Sequence, residues 1–268
     1  MKKLLLLFCT VTFVLTSCSN DENSSPENSS QQDNSVLPKT ISYIYPSLLL
    51  GVDSKSSAMY SGNKILSSSE EGYKTVFTYD GDFITKQAVF KLDKQGNQTI
   101  VKEVAYTYEN GKLKTRIYRV IINGQSGSSD YIQKTVYTQN TNDLISYLSY
   151  SVDATTKIEN LINEGTLTYQ NGNLVKLQQK VNSITTTSVY DYDTKQNPLK
   201  NILGFNLLLD EIYGFGKNNI IKNTKISSEN TNPTVYLTSY TYNERGYPIR
   251  NTSLSGGGSV EYEIEYTY

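Results

Sequence analysis

The sequence has no histidine and no tryptophan, and only two cysteines among 268 residues. Without histidine there is no Ser-His-Asp or Cys-His catalysis and no histidine-ligated metal site. The usual side chain for proton transfer near neutral pH is missing as well. Zinc and haem chemistry are thereby set aside. Carboxylate, Ser-Lys and tyrosine schemes are all that composition leaves to an enzyme. Positive charge is not in surplus either, with 25 Lys plus Arg against 26 Asp plus Glu. Binding by counterion release needs such a surplus, so nucleic acid is not an expected partner. Long hydrophobic runs are absent too. The uncharged stretch over residues 4–15 falls short of the roughly 20 residues that a membrane-spanning helix requires.

What is present at the N-terminus explains that short run. Lys2 and Lys3 precede it, and Leu15-Thr16-Ser17-Cys18 ends it. This order of charge, apolar core and small residues is that of a cleaved signal peptide. The last four residues resemble the lipobox of bacterial lipoproteins, which implies cleavage before Cys18 and acylation of its thiol. Position +2 is Ser19, not the aspartate associated with inner-membrane retention, and Asp21 and Glu22 follow. Acidic residues so placed resemble the surface-export signal of Bacteroidota lipoproteins. The expected location is therefore the outer membrane, lipid-anchored and facing outward. Residues 19–35 are nearly all Ser, Asn, Gln, Asp and Glu, a composition that cannot build a core and reads as a disordered spacer. The expected organisation is a signal peptide over 1–17, lipidated Cys18 with a linker to 36, and one domain over 37–268. Removing the signal peptide leaves 23 Lys plus Arg against 26 Asp plus Glu, a net charge of −3. It also removes Cys9, so the folded body has neither a free thiol nor a disulfide.

The residue in excess is tyrosine, 23 against 7 phenylalanines. Tyr, Thr, Val and Ile favour strands, and a tyrosine ring packs while its hydroxyl still finds water or a partner. A unit recurs: an aromatic, any residue, Tyr, a polar turn, then Leu or Ile. It reads Phe77-Thr-Tyr79-Asp-Gly-Asp-Phe-Ile84, then Tyr106-Thr-Tyr108-Glu-Asn-Gly-Lys-Leu113, and more weakly Tyr137-Thr-Gln-Asn-Thr-Asn-Asp-Leu144. Leu167 to Leu174, Tyr190 to Leu199 and Tyr240 to Ile249 continue it. Anchors at 79, 108, 137, 169 and 192 are 29, 29, 32 and 23 residues apart, with 50 more to 242. Such a period marks a repeated supersecondary unit. Residues two apart on a strand share a face, so each aromatic pair points one way. Asn110-Gly111 and Asn171-Gly172 suit tight hairpin turns. Gln95-Gly96-Asn97 and the stretch from Asn123 to Gly127 provide the returning connections.

The last residues, Val260 to Tyr268, alternate strictly, with Glu261, Glu263 and Glu265 on one face and Val260, Tyr262, Ile264, Tyr266 and Tyr268 on the other. They read as a closing strand. One stretch breaks the pattern. From Lys200 to Tyr213, Ile202, Leu203, Phe205, Leu207, Leu208, Leu209 and Ile212 are spaced closer to helically than alternately. The expected fold is all-β: an antiparallel up-and-down meander forming a barrel or a strongly curved open sheet. A short helix or ordered loop near 200–213 packs on it and plugs one end.

The Tyr-x-Tyr-turn-Gly-x-Leu unit resembles the tyrosine-rich repeats of Rhs-type shells. The whole chain is more similar to lipoproteins of Flavobacterium and Bacteroides relatives, which combine a lipobox, an acidic Ser/Asn linker, these hairpins and an Asn-Pro-Leu-Lys segment like that at 197–200. That resemblance covers about 40–268. It implies a porin-like, open-barrel fold and carries over no functional residue.

Several clusters deserve weighing as sites. The Glu261, Glu263, Glu265 row would suit a cation or a basic partner, but a solvated face that discourages edge pairing is the simpler reading. Asp210-Glu211 beside Tyr213, or Glu70-Glu71, would serve as half of a glycosidase carboxylate pair, with solvated loop acids the simpler reading. Asp80-Gly81-Asp82 lacks the spacing of a calcium loop and reads as a turn. Gly256-Gly257-Gly258 reads as hairpin punctuation. The tyrosine rows would stack sugar rings with help from nearby Asn amides, although regular alternation is more often sheet packing. The expectation is a non-catalytic, monomeric binding or interaction module without cofactor or metal, its membrane contact made through Cys18 and its ligand a glycan or a protein. The alternatives are an accessory lipoprotein without ligand, a carrier of an apolar ligand inside a closed barrel, and a carboxylate-type glycosidase.

Overall fold

A computed structural model describes residues 36–122, 130–209 and 216–268. The signal peptide, Cys18 and residues 19–35 lie outside these, as do Asn123 to Gly127 and the acidic pair Asp210-Glu211 with Ile212 and Tyr213. The tight turns form where positive φ is cheapest. Asn110-Gly111 adopts φ of 52° and 75°, and Asn171-Gly172 adopts 53° and 80°. Both central residues are thus left-handed, as the hairpin turn that matches strand twist demands. Between turns run sixteen strands: β1 Thr40–Ile44, β2 Ser54–Ser61, β3 Lys64–Glu70, β4 Tyr73–Asp80, β5 Phe83–Leu92, β6 Gln98–Glu109, β7 Lys112–Val120, β8 Tyr131–Gln139, β9 Leu144–Val152, β10 Glu159–Gln170, β11 Asn173–Val181, β12 Ile184–Tyr192, β13 Ile220–Ser227, β14 Thr234–Tyr242, β15 Pro248–Leu254 and β16 Val260–Thr267.

Each strand pairs antiparallel with its sequence neighbours. Thr40–Ile44 then pairs with Glu263–Thr267, so the meander closes into a barrel. The open barrel that the resemblance implies is therefore corrected to a closed one. Closure is helped by a register slip at the second aromatic of the repeat: at Tyr60, Tyr79, Tyr108, Tyr169, Tyr192 and Tyr242. The inserted residue raises local twist and bends the strand. The slip at Tyr60 reveals a further copy, Ala58-Met-Tyr60-Ser-Gly-Asn-Lys-Ile65, hidden in the sequence because Ala58 stands where the first aromatic belongs. The weak copy at 137 has no slip. There Ile145, not Leu144, is buried.

The slips also explain why the second aromatic is tyrosine. β5 pairs with β6 only from Lys86 onward, so the carbonyl of Ile84 lies past the last rung. The Tyr108 hydroxyl donates to it at 2.7 Å. Tyr192 does the same for the Leu174 carbonyl at 2.7 Å, and a first aromatic, Tyr240, does so for that of Ile220 at 2.8 Å. A side chain thus replaces a missing ladder bond where a bare carbonyl would be costly.

The repeat's tyrosines face inward, as do Ile65, Ile84, Leu113 and Leu174, while in the last copy Pro248 is buried in place of the exposed Ile249. Ile84, Val104, Tyr106, Leu113, Tyr137, Tyr147, Leu167 and Leu174 form one buried cluster with Ile202, Phe205 and Leu208. The last three belong to the segment between β12 and β13. The described part of that segment holds no α-helix. It runs in turns with a single 3-10 turn, Phe205–Leu207, because Gly204 takes a left-handed φ of 81° and interrupts any longer helix. It is a plug as expected. The Leu203 amide donates to the Asn63 carbonyl at 2.9 Å, Tyr79 donates to the Leu203 carbonyl at 3.1 Å, and Asn201 donates to the Val36 carbonyl at 3.0 Å. The Phe205 ring meets Phe77 at 6.0 Å.

The outer wall is a different surface. Cross-strand neighbours there include Glu103 opposite Arg119, Glu164 opposite Lys180, Asp191 opposite Lys222 and Arg250 opposite Glu265. Ion pairs join Lys86 to Glu103, Lys180 to Glu164 at 3.0 Å and Lys222 to Asp191 at 3.2 Å. A transmembrane barrel carries an apolar band about 25 Å tall outside and polar residues inside. Here charged pairs stand along the wall beside exposed Met59, Ile117, Leu148, Val189 and Leu237, and the repeat's aromatics are in the lumen.

Candidate functional site

A barrel of sixteen strands encloses more space than its own side chains fill, and the plug occupies only one side of it. Opposite the plug, between β11–β16 and β1, a cavity of about 860 Å³ remains. Its floor is Asn197, Pro198 and Leu199 at the start of the plug, with Asn219 and Ile220. Asn197, Pro198 and Asn219 are buried. Asn219 is held by the Asp193 carboxylate, to which its Nδ2 donates at 3.2 Å, and by the Gln196 carbonyl at 3.1 Å. Toward the other end the cavity reaches Gln179, Thr186, Lys225, Tyr43 and Glu261. Lys225 and Tyr43 are exposed and mark the mouth.

The walls follow from strand register. Tyr190, Asn223 and Tyr236 stand side by side on β12, β13 and β14. Tyr240, Asn251 and Ile264 do so on β14, β15 and β16, and Thr238, Ser253 and Tyr262 form the next row up. Tyr43 lies opposite Ile264 on β1, and its ring meets that of Tyr262 at 6.0 Å. Burial holds the hydroxyls of Tyr240, Tyr266 and Tyr43 above the usual phenol range, so they stay neutral and able to donate. The Asn251 Nδ2 donates to the Tyr266 hydroxyl at 3.3 Å. Its carbonyl Oδ1 has no protein partner, nor has the Oδ1 of Asn223. Asn251 is only 7% exposed, and a buried carboxamide oxygen left bare costs about 1–3 kcal/mol. Both residues line the cavity, although these two oxygens themselves have almost no solvent-accessible surface. Among the described residues the cavity's charged ones are Lys225 and Glu261, one of each sign.

The sequence-marked acids fall elsewhere. Glu70 and Glu71 lie exposed at the β3–β4 turn, and Asp80 to Asp82 form the β4–β5 turn, Gly81 taking a positive φ. Gly256 to Gly258 punctuate the β15–β16 hairpin, which the Ser255 amide closes on the Ser259 carbonyl at 2.8 Å. The glutamate row does not survive intact. Glu263 and Glu265 are on the outer face, Glu263 bound to Arg250 and to Thr252 Oγ1. A register slip at Ser253 makes Glu261 an extra residue, and it turns to the cavity mouth with Ser253 Oγ at 3.4 Å. Strict alternation in sequence cannot display that slip. Among the described residues no group of three metal-ligating acids occurs. Asn223, Lys225, Asn251 and Ser253 carry no motif. Their one signal is that polar residues occupy positions where other strands place Val, Tyr or Leu.

Fold and cavity together define a closed, plugged, sixteen-strand antiparallel barrel with a charged outer wall and a one-ended lumenal cup. In fold the chain is similar to the crystal structure of a porin-like protein from Bacteroides vulgatus, at 13% identity and a TM-score of 0.59, over 87% of this chain and 98% of that one. A porin-like protein from Bacteroides uniformis aligns at 13% identity over 86% and 97%, with a TM-score of 0.48. No protein-family model and no curated protein matches the sequence.

Proposed function

We propose that this chain is an outer-membrane lipoprotein, anchored outward through Cys18, whose barrel stands in water and binds a glycan in its lumenal cup without chemical turnover. The observation that carries the reading is the cup itself. Tyrosine rings provide faces for sugar C–H surfaces, and the Asn, Ser and Thr side chains provide donors and acceptors. A hydroxyl-rich, neutral ligand meets both. An apolar cargo would strip water from these polar side chains without replacing it, which counts against a carrier. The charged wall supports an aqueous setting, because Lys or Arg at a bilayer midplane costs about 2–4 kcal/mol. A lipid on Cys18 then supplies the membrane contact.

The test is a glycan array probed with the purified mature lipoprotein, with calorimetry on each hit. Saturable binding that Asn251→Leu weakens at least tenfold supports the reading. An array without a saturable hit overturns it. Metabolic labelling with an alkyne fatty acid checks the anchor, and label that persists in Cys18→Ala would refute it.

A further inference from the structure

We infer that the cup takes the free end of a linear glycan and not an internal stretch, so that chain termini are the ligand class recognised. This rests on the glycan reading above and adds its topology. A groove that runs along a surface leaves a chain free to enter and leave at both ends. This cavity cannot act as one. Every wall strand around it is paired with the next, including β1 with β16, so no lateral slot opens between strands. Asn197, Pro198 and Leu199 form its floor, and the plug that carries them is tied to Val36, Asn63 and Tyr79 on other parts of the chain.

Polar groups come from several of the wall strands: Ser188 stands opposite Lys225, and Asn251 stands between Tyr240 and Ile264. About 860 Å³ lies within the range of small-ligand sites and corresponds to roughly two or three sugar rings. Further rings would stand outside the mouth in water.

The experiment uses the mature lipoprotein with linear oligosaccharides from disaccharide to octasaccharide, immobilised in turn through each end, and with the ring-closed oligomers of the same sugars. Expected is binding through one free end only, affinity that rises to about three units and then stays level, and no binding of cyclic oligomers. Ser188→Trp, which narrows the cup, should shift the best ligand to a shorter chain, with circular dichroism checking the fold. Cyclic oligomers binding as well as linear ones, or affinity that climbs through the octasaccharide, would overturn end-on recognition while leaving glycan binding in place. If no linear or cyclic sugar binds, the glycan reading falls and this inference with it.

Discussion

The two sides of the lumen are built from the same repeat and do different things. On the side of β3–β10, Tyr106, Tyr137 and Tyr147 are buried against Ile84, Leu167 and the plug. On the side of β11–β16 and β1, Tyr190, Tyr236, Tyr240 and Tyr262 line open space. The strand chemistry that places them is one and the same: alternate residues inward and a slip at the second aromatic. The difference is the plug, which brings Ile202, Phe205 and Leu208 to one side and only its first residues to the floor of the other. A tyrosine row is therefore neither packing nor binding surface by nature. Its neighbour across the lumen decides.

The largest test of this comparison breaks both sides at once. Burial pushes the Tyr79 and Tyr108 hydroxyls up to about 12, while unfolded tyrosine ionises near 10. The folded state thus keeps protons that the unfolded chain releases. Their contribution is complete below pH 10 and is lost as pH rises from there toward 12. Tyrosinate absorbance and circular dichroism should change together in one cooperative alkaline transition. A smooth rise in absorbance over an unchanged dichroism spectrum would show that the rings are not locked as described.

Single substitutions then separate the sides. Tyr137→Ala on the packed side should cost about 3–5 kcal/mol in denaturant unfolding, the range for emptying a buried aromatic site. Tyr236→Ala, facing the cup, should cost under about 1 kcal/mol and lower glycan affinity. Equal losses of stability would erase the distinction. Gly165→Val probes how closely the packed side is fitted. A β-carbon there would sit 2.3 Å from the Gln178 carbonyl and 2.6 Å from the Tyr147 ring, so a loss of about 1–3 kcal/mol is expected. Asn251→Leu should leave stability within about 1 kcal/mol, since it removes an unpartnered oxygen along with one long hydrogen bond. The smallest effect belongs to the wall. Arg250 holds the Glu263 carboxyl below the usual range, a contribution present above the ordinary carboxylate pKa and lost as pH falls through the lowered one. The pair is exposed, so Glu263→Gln should shift the acid midpoint only slightly, and added salt should abolish that shift.

Much of the architecture is legible because its signals are local. Asn110-Gly111 and Asn171-Gly172 state their turns, and Tyr106 with Tyr108 states a shared face. The run from Val260 to Tyr268 reads correctly as a closing strand. What escapes is non-local. The slips at Tyr60, Ser253 and elsewhere are agreements between two strands, and neither strand shows them alone. In sequence Glu261 therefore falls in one row with Glu263 and Glu265, and the copy ending at Ile65 is hidden. The plug was legible as apolar and out of pattern, yet its shape turned on Gly204 adopting a left-handed conformation against Asp82 and Ile84.

By itself the sequence determined the all-β class, the hairpin repeat, the shared face of each aromatic pair, and a body lacking the imidazole and thiol on which many enzymes depend. These follow from residue type and spacing of two, which act over a single turn of chain. Only the tertiary structure decided that the sheet closes, that the tyrosines of the repeat face inward, that the described part of the plug lies to one side, and that Asn223 and Asn251 line the cup. Those outcomes depend on sixteen strands sharing one circumference and on where a single segment comes to rest inside it. No stretch of sequence encodes that position on its own.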